Sequence, residues 1–347
     1  MLQELREAIE GYKGETRGGS GRGHFIPGAM WIIWAAWWHV NTSVCWVRGR
    51  IKSKRGHLVP SSSLSSSSAP GPRQVFSHGR ARSFSARPWV EGVVPYTSLA
   101  EPVVKLALPL LGILGELYYK PVENICWHYL IYKGEFDPET VNLYIHTCLY
   151  GSVAVSGLAD LLTHSSLLPR SFDKLVHVLA FVTQGMLFAV HLKGSELGIM
   201  MHKILVGLLF AYSAAAALEL FVVKGDLAAT FMRPFLLALC GAWICFTGVV
   251  LFPKHVNYFT MTMESMGPDL LWFLKWQMRP HLTMMVIPVY LCFYALLIFA
   301  CQVLVLWIMC FLVPSGCSWR ARLHNARKLL GGDTSDYKAV ALSETLD

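Results

Sequence analysis

Seven apolar stretches, at about 26–47, 99–119, 141–163, 174–192, 198–223, 227–252 and 283–313, are each long enough to cross the ~30 Å hydrocarbon core of a bilayer as a helix. Inside lipid a backbone must satisfy its own hydrogen bonds, so a chain made of such stretches has the helical bundle open to it and little else. The expected fold class is all-α, a seven-helix transmembrane bundle. Composition agrees, since 54% of the 347 residues are hydrophobic and only 15% are charged, a balance that long membrane-spanning segments produce. Span two is short and carries Pro109, and span seven exceeds what a crossing needs, so it is expected to tilt or to begin near Val286.

Loop charge sets the expected orientation. The first loop holds Arg48, Arg50, Lys52, Lys54, Arg55, Arg73, Arg80, Arg82 and Arg87, whereas the second holds Lys120 and Lys133 against Glu123, Glu135, Asp137 and Glu139. By the positive-inside rule the first loop is cytoplasmic, which leaves the N-terminus outside or lumenal and the C-terminus cytoplasmic. The net charge of +8 is thus a topology signal, and no nucleic-acid partner is expected. Residues 1–24 are polar with both signs of charge and read as a tail without a cleavable signal, so the first helix directs insertion. Most of the nine cysteines fall in or beside apolar runs, which excludes a disulfide framework. Of these, Cys310 and Cys317 sit where palmitoylation is feasible, with small apolar packing the favoured role.

The chain divides into a tail (1–24), a first helix with its basic flank (25–52), a Ser/Arg-rich cytoplasmic loop (53–96), the remaining six helices (97–315) and a cytoplasmic tail (316–347). The serine run 61–68, with prolines and scattered arginines after it, has too little apolar surface to order itself. There Arg80-Ala81-Arg82-Ser83-Phe84-Ser85 suits a basophilic kinase acting at Ser85. In the tail, Trp319, Leu323, Ala326 and Leu330 recur at helical spacing beside Arg320, Arg322, Arg327 and Lys328, an interfacial helix for the anionic cytoplasmic leaflet. Tyr337-Lys338-Ala339-Val340 fits a tyrosine-based sorting signal, Tyr337 with Val340, that coat adaptors would read.

Several motifs in one order carry a family resemblance. Gly23-His24-Phe25-Ile26-Pro27-Gly28 leads into Trp31-Ile32-Ile33-Trp34-Ala35-Ala36-Trp37-Trp38. There follow Gly115-Glu116, Gly157-Leu158-Ala159-Asp160-Leu161, Leu218-Glu219-Leu220 and Gly241-Ala242-Trp243, ending at Leu251-Phe252-Pro253. Over about 22–52 and 97–315 the chain resembles the transmembrane protein 45 family, which includes epididymal transmembrane relatives. That resemblance implies a seven-helix multi-pass protein of secretory-pathway or endolysosomal membranes, with the plasma membrane also open, and attaches no biochemical activity. Gln184 departs from it, standing where an acid is expected in relatives.

Ionisable groups within the membrane are costly and are functional candidates by default. Threading the spans puts His146, His191, His202 and His281 at one outer depth, joined by Glu116. Neutral imidazoles with one carboxylate suit a divalent metal such as zinc. No two of these residues have the i, i+3 or i+4 spacing by which one helix presents a ligand pair, so packing or interfacial roles compete with the metal reading. On span four, His177, Gln184 and His191 recur every seven residues, drifting only ~20° per step, and form a stripe through the bilayer. His146 and Asp160 likewise share a face of span three. A second, inner group comprises Asp160, His164, His177, Glu219 and Arg233, in which Arg233 is expected to pair with Glu219 or Asp160 as interhelical cement. Trp31, Trp34 and Trp38, with Trp37 beside them, make an aromatic stripe suited to anchoring and packing ahead of sterol binding.

Catalytic readings fail on their motifs. The H-x-x-x-H pair of adiponectin-receptor and ceramidase-type hydrolases, the histidine boxes of di-iron hydroxylases and the second bis-histidine helix of a two-haem cytochrome are absent, and span seven has no lysine for a retinal Schiff base. No catalytic residue is assigned. The expectation is a non-catalytic membrane protein acting in trafficking or as an adaptor. Competing with it is a proton- or metal-handling transporter using the His177–Gln184–His191 stripe and the outer group, with metal-dependent membrane hydrolysis third.

Overall fold

The computed structural model describes residues 21–56, 97–118, 131–132, 135–136, 138–169, 171–192, 196–222, 226–252 and 280–313. These form seven helices: α1 (Gly21–Gly56), α2 (Thr97–Tyr118), α3 (Pro138–His164), α4 (Phe172–Val190), α5 (Glu196–Phe221), α6 (Leu227–Leu251) and α7 (Pro280–Leu312). Between α2 and α3 lies one antiparallel pair of two-residue strands, β1 (Ile131–Tyr132) and β2 (Glu135–Phe136). α7 begins at Pro280, so of the two expectations for this long segment, a tilt or a start near Val286, the later start does not hold and the extra length is helical.

Among the described residues, five helices, α3 through α7, are by length and composition long and apolar enough to cross a membrane. α1 and α2 fall short of that criterion for an identifiable reason. α1 devotes its middle to Trp31, Trp34, Trp37, Trp38 and His39, and α2 carries Glu101, Lys105 and Glu116. Their outward faces are nevertheless apolar: Ile26, Ile32 and Ile33 on α1, and Val103, Val104, Leu108, Leu111 and Leu114 on α2, are exposed. His39 and Ser43 of α1 and Lys105 of α2 turn inward and are buried.

α2 packs on α3, α3 on α4, α4 on α5, α5 on α6, and α6 on α1, while α7 rests against α1, α5 and α6. α1 and α6 approach closely because glycines face each other. A Cβ on Gly28 would come within 2.8 Å of the Gly241 carbonyl oxygen, and one on Gly241 within 2.6 Å of the Gly28 carbonyl oxygen, both closer than atoms tolerate. Such small-residue crossings are how membrane helices gain contact without a hydrophobic driving force. Gly157 serves α2 in the same way, since a Cβ there would strike the backbone at Lys105 and Leu106.

α6 is the most enclosed helix, and Asp226 caps it by accepting a hydrogen bond from the Ala229 N–H at 3.0 Å. Its Leu237, Cys240 and Trp243 join Met201, Leu209 and Tyr212 of α5, Phe181 of α4 and Trp31, Ala35 and Trp38 of α1 in one core. By contrast α7 shows Met285, Val289, Phe293, Leu296 and Phe311 outward, the surface a lipid-facing helix needs.

Candidate functional site

The bundle interior holds a layer of charge to which six helices contribute. On α2, Glu101 and Lys105 stand one turn apart and so share a face. The Glu101 carboxylate accepts three indole N–H bonds from α1: Trp34 at 3.1 Å and Trp38 at 2.7 Å, both on Oε1, and Trp37 at 3.0 Å on Oε2. Lys105 donates to Asp160 Oδ2 of α3 at 2.5 Å, the two side chains being 5% and 13% exposed, so this is an ion pair inside the bundle and not at its surface. It also sits 5.1 Å from the centre of the Trp34 ring.

Arg233 of α6 pairs with Glu219 of α5, both buried, and its guanidinium lies 5.7 Å from the Trp38 ring centre. Thr230 adds a weak bond to Glu219 Oε1 at 3.4 Å. Trp34 and Trp38 therefore each offer an N–H edge to an anion and a ring face to a cation, which is how the quadrupole of an aromatic ring is oriented. Between the two sides lies His177 of α4. Its Nε2 is 2.5 Å from the Tyr212 hydroxyl of α5, its Nδ1 is 3.4 Å from Ser156 Oγ of α3, and its ring meets Trp34 and Trp38 edge-on. His39 ties α1 to α7 through the Gln302 carbonyl oxygen at 2.8 Å.

Of the two partners expected for Arg233, Glu219 is the one it takes. Asp160 pairs with Lys105 instead, because Gly157 lets α2 approach α3 at that level. His177 and Gln184 face the interior as the seven-residue spacing requires, at 3% and 2% exposure, and His191 follows at the C-terminal cap of α4. Gln184 Nε2 donates to Ser152 Oγ at 3.3 Å. His164 is exposed at the end of α3 and does not belong to the buried layer.

The outer five residues do not form one constellation. His146 Nδ1 lies 3.4 Å from Glu116 Oε1 and its ring centre 5.4 Å from that of His191. His202 instead meets His24 edge-on, ring centres 5.9 Å apart, and its Nδ1 bonds the Gly198 carbonyl oxygen at 2.8 Å. His281 is exposed on the first turn of α7. Equal depth did not bring them together: α4 adjoins both α3 and α5, but His191 faces His146 of α3 while His202 of α5 turns to His24 of α1. Among the described residues no group of three or more histidine, cysteine, aspartate or glutamate side chains is arranged to hold a metal ion.

Glu101, Lys105, Tyr212, Ser152 and Ser156 were missed by motif reading. For Ser152 and Ser156 a signal was present, since with Asp160 they recur at i, i+4 and i+8 along α3, and the two serines meet α4. The expected tail helix Trp319–Leu330, the Tyr337–Val340 signal and Ser85 lie outside the described residues. From just before α4 to the end of α7, residues 170–312, the chain is similar to a family of unknown function, DUF716.

Proposed function

We propose that this is a non-catalytic, multi-pass protein of secretory-pathway, endolysosomal or plasma membrane, in which all seven helices cross the bilayer with the N-terminus outside and the C-terminus in the cytoplasm. It acts in trafficking or as a membrane adaptor, through the basic segment 53–96 and the tail 316–347. One observation carries the scaffold half of this reading: Lys105 with Asp160, Arg233 with Glu219, and Glu101 with three indoles each join different helices. Charges matched across helices are the least costly way to keep charge in lipid, and they fix helix positions. The resemblance to the transmembrane protein 45 family and the tail chemistry support the rest.

The test is steady-state localisation of the full chain beside Tyr337→Ala and a deletion of residues 53–88, with a protease-accessible C-terminal tag reporting orientation. The expected result is redistribution of at least one variant with the tag on the cytoplasmic side. Unchanged localisation in both, or a lumenal tag, overturns the proposal.

A further inference from the structure

The facing sides of α3 and α4 carry polar groups at successive levels. Starting from the outer end, Glu116 meets His146, and His146 meets His191. Next come Ser152 with Gln184, then Ser156 with His177 and Tyr212, and finally Asp160 with Lys105. Two apolar faces would pack these helices equally well, yet α3 commits Ser152 and Ser156, and α4 commits Gln184 and His177, to their contact, while Glu116 and Lys105 of α2 join α3 at the two ends of the seam through His146 and Asp160.

A second observation singles out the middle of the seam. Gln184 is 2% exposed, and while its Nε2 donates to Ser152, its Oε1 has no hydrogen-bond partner among the described residues. A buried amide oxygen without a donor is unfavourable, and a purely structural glutamine would have both ends satisfied. An acceptor of this kind beside the Ser152 hydroxyl suits transient hydrogen-bonded donors passing along the seam.

We propose that the α3/α4 seam is a proton path between the Glu116–His146–His191 end and the Asp160–Lys105 end. The spacing fits protons. Ser152, Ser156 and Asp160 are successive helical turns apart, a rise of about 6 Å each, which one water bridges; the longest interval, His191 to Gln184 along one face of α4, is a rise of about 10 Å, or two to three waters. Imidazole, hydroxyl and carboxylate groups each accept a proton on one side and release one on the other, so a proton entering at one end is matched by one leaving at the other. Only O–H and N–H bonds are exchanged, and no oxidant or co-reactant is required. A metal ion would need four or more ligands around one point, whereas the seam offers two polar side chains at most levels.

The proposal is tested with the purified full-length chain in liposomes that contain a trapped pH-sensitive dye, driven by a potassium diffusion potential. Proton flux is expected to exceed that of protein-free vesicles. It should fall about tenfold or more in Gln184→Leu and in Ser156→Ala, each of which breaks one link, and stay at the wild-type rate in Leu296→Ala on the outward face of α7. Size-exclusion and melting profiles identify any variant that misfolds, and the other seam variant then decides. Wild-type flux no greater than that of empty vesicles overturns the proposal, as does undiminished flux in a correctly folded seam variant or equal loss in Leu296→Ala.

Discussion

The unequal sharing of Glu101 among three tryptophans makes a prediction that does not depend on how deep the site lies. Trp34 and Trp38 bond Oε1, and Trp37 alone bonds Oε2. In Glu101→Gln the amide keeps its carbonyl oxygen where two donors converge, so its NH2 turns toward Trp37, donor against donor. Hydrogen bonds to charged groups contribute about 1.5–3 kcal/mol in soluble proteins. Interhelical bonds in membranes average ~0.6 and reach ~1.7 kcal/mol, and about 1 kcal/mol is a reasonable value for Trp37 and Glu101. Trp37→Phe should therefore cost about 1 kcal/mol more in the wild-type background than in Glu101→Gln, where no bond remains to lose. Trp34→Phe should show a smaller difference, because its acceptor persists in both backgrounds. The measurement is reversible unfolding of the full chain in mixed detergent micelles, followed by far-ultraviolet circular dichroism. Additivity of Trp37→Phe and Glu101→Gln within about 0.3 kcal/mol would refute the reasoning, as would a coupling for Trp34 larger than for Trp37.

Lys105→Met leaves Asp160 buried without its partner and should lower stability by about 3 kcal/mol or more, while Lys105→Met with Asp160→Leu recovers most of the loss; the same unfolding assay reads both. Gly28→Ala forces a methyl to within 2.6 Å of Cys245 Sγ and should cost about 1–3 kcal/mol, whereas Gly207→Ala, with nothing within 4 Å, should be neutral or stabilising by up to about 1 kcal/mol in a thermal melt. Because the outer histidines divide between α3/α4 and α1/α5, elemental analysis should find sub-stoichiometric zinc, unchanged in a His146→Ala, His191→Ala variant; one tightly held zinc lost in that variant would refute the division.

The helices were legible where apolar length alone decides, as in α3 to α7, and so was the seven-residue stripe of α4, since periodicity fixes which residues share a face. That Arg233 is paired with an acid was legible, because lipid forces charges together, but the choice of Glu219 over Asp160 was not. Glu101 and Lys105 were not. They stand near the start of a span, where charges ordinarily read as interfacial flank, and their partners are 63–67 and 55 residues away in the chain. The tryptophans were legible as an aromatic stripe suited to anchoring and packing, but an indole N–H needs an acceptor only when it is enclosed, and enclosure is a tertiary fact. For the outer histidines the difficulty was rotational: a span order gives depth, and only packing gives the azimuth that separates His202 from His146 and His191.

The glycine crossing of α1 on α6 bears on how the chain is made. The two glycines that meet, Gly28 and Gly241, are separated by most of the bundle in sequence. At 5–20 residues per second the sixth helix is synthesised about 10–40 s after the first. In the proposed seven-span topology α1, with its indole donors, His39 and Ser43, enters the membrane well before its principal partner exists. Insertion machinery or a holding chaperone must shelter those polar groups until then, and variants that weaken the crossing are expected to be lost during biogenesis, before any defect in the finished protein can show.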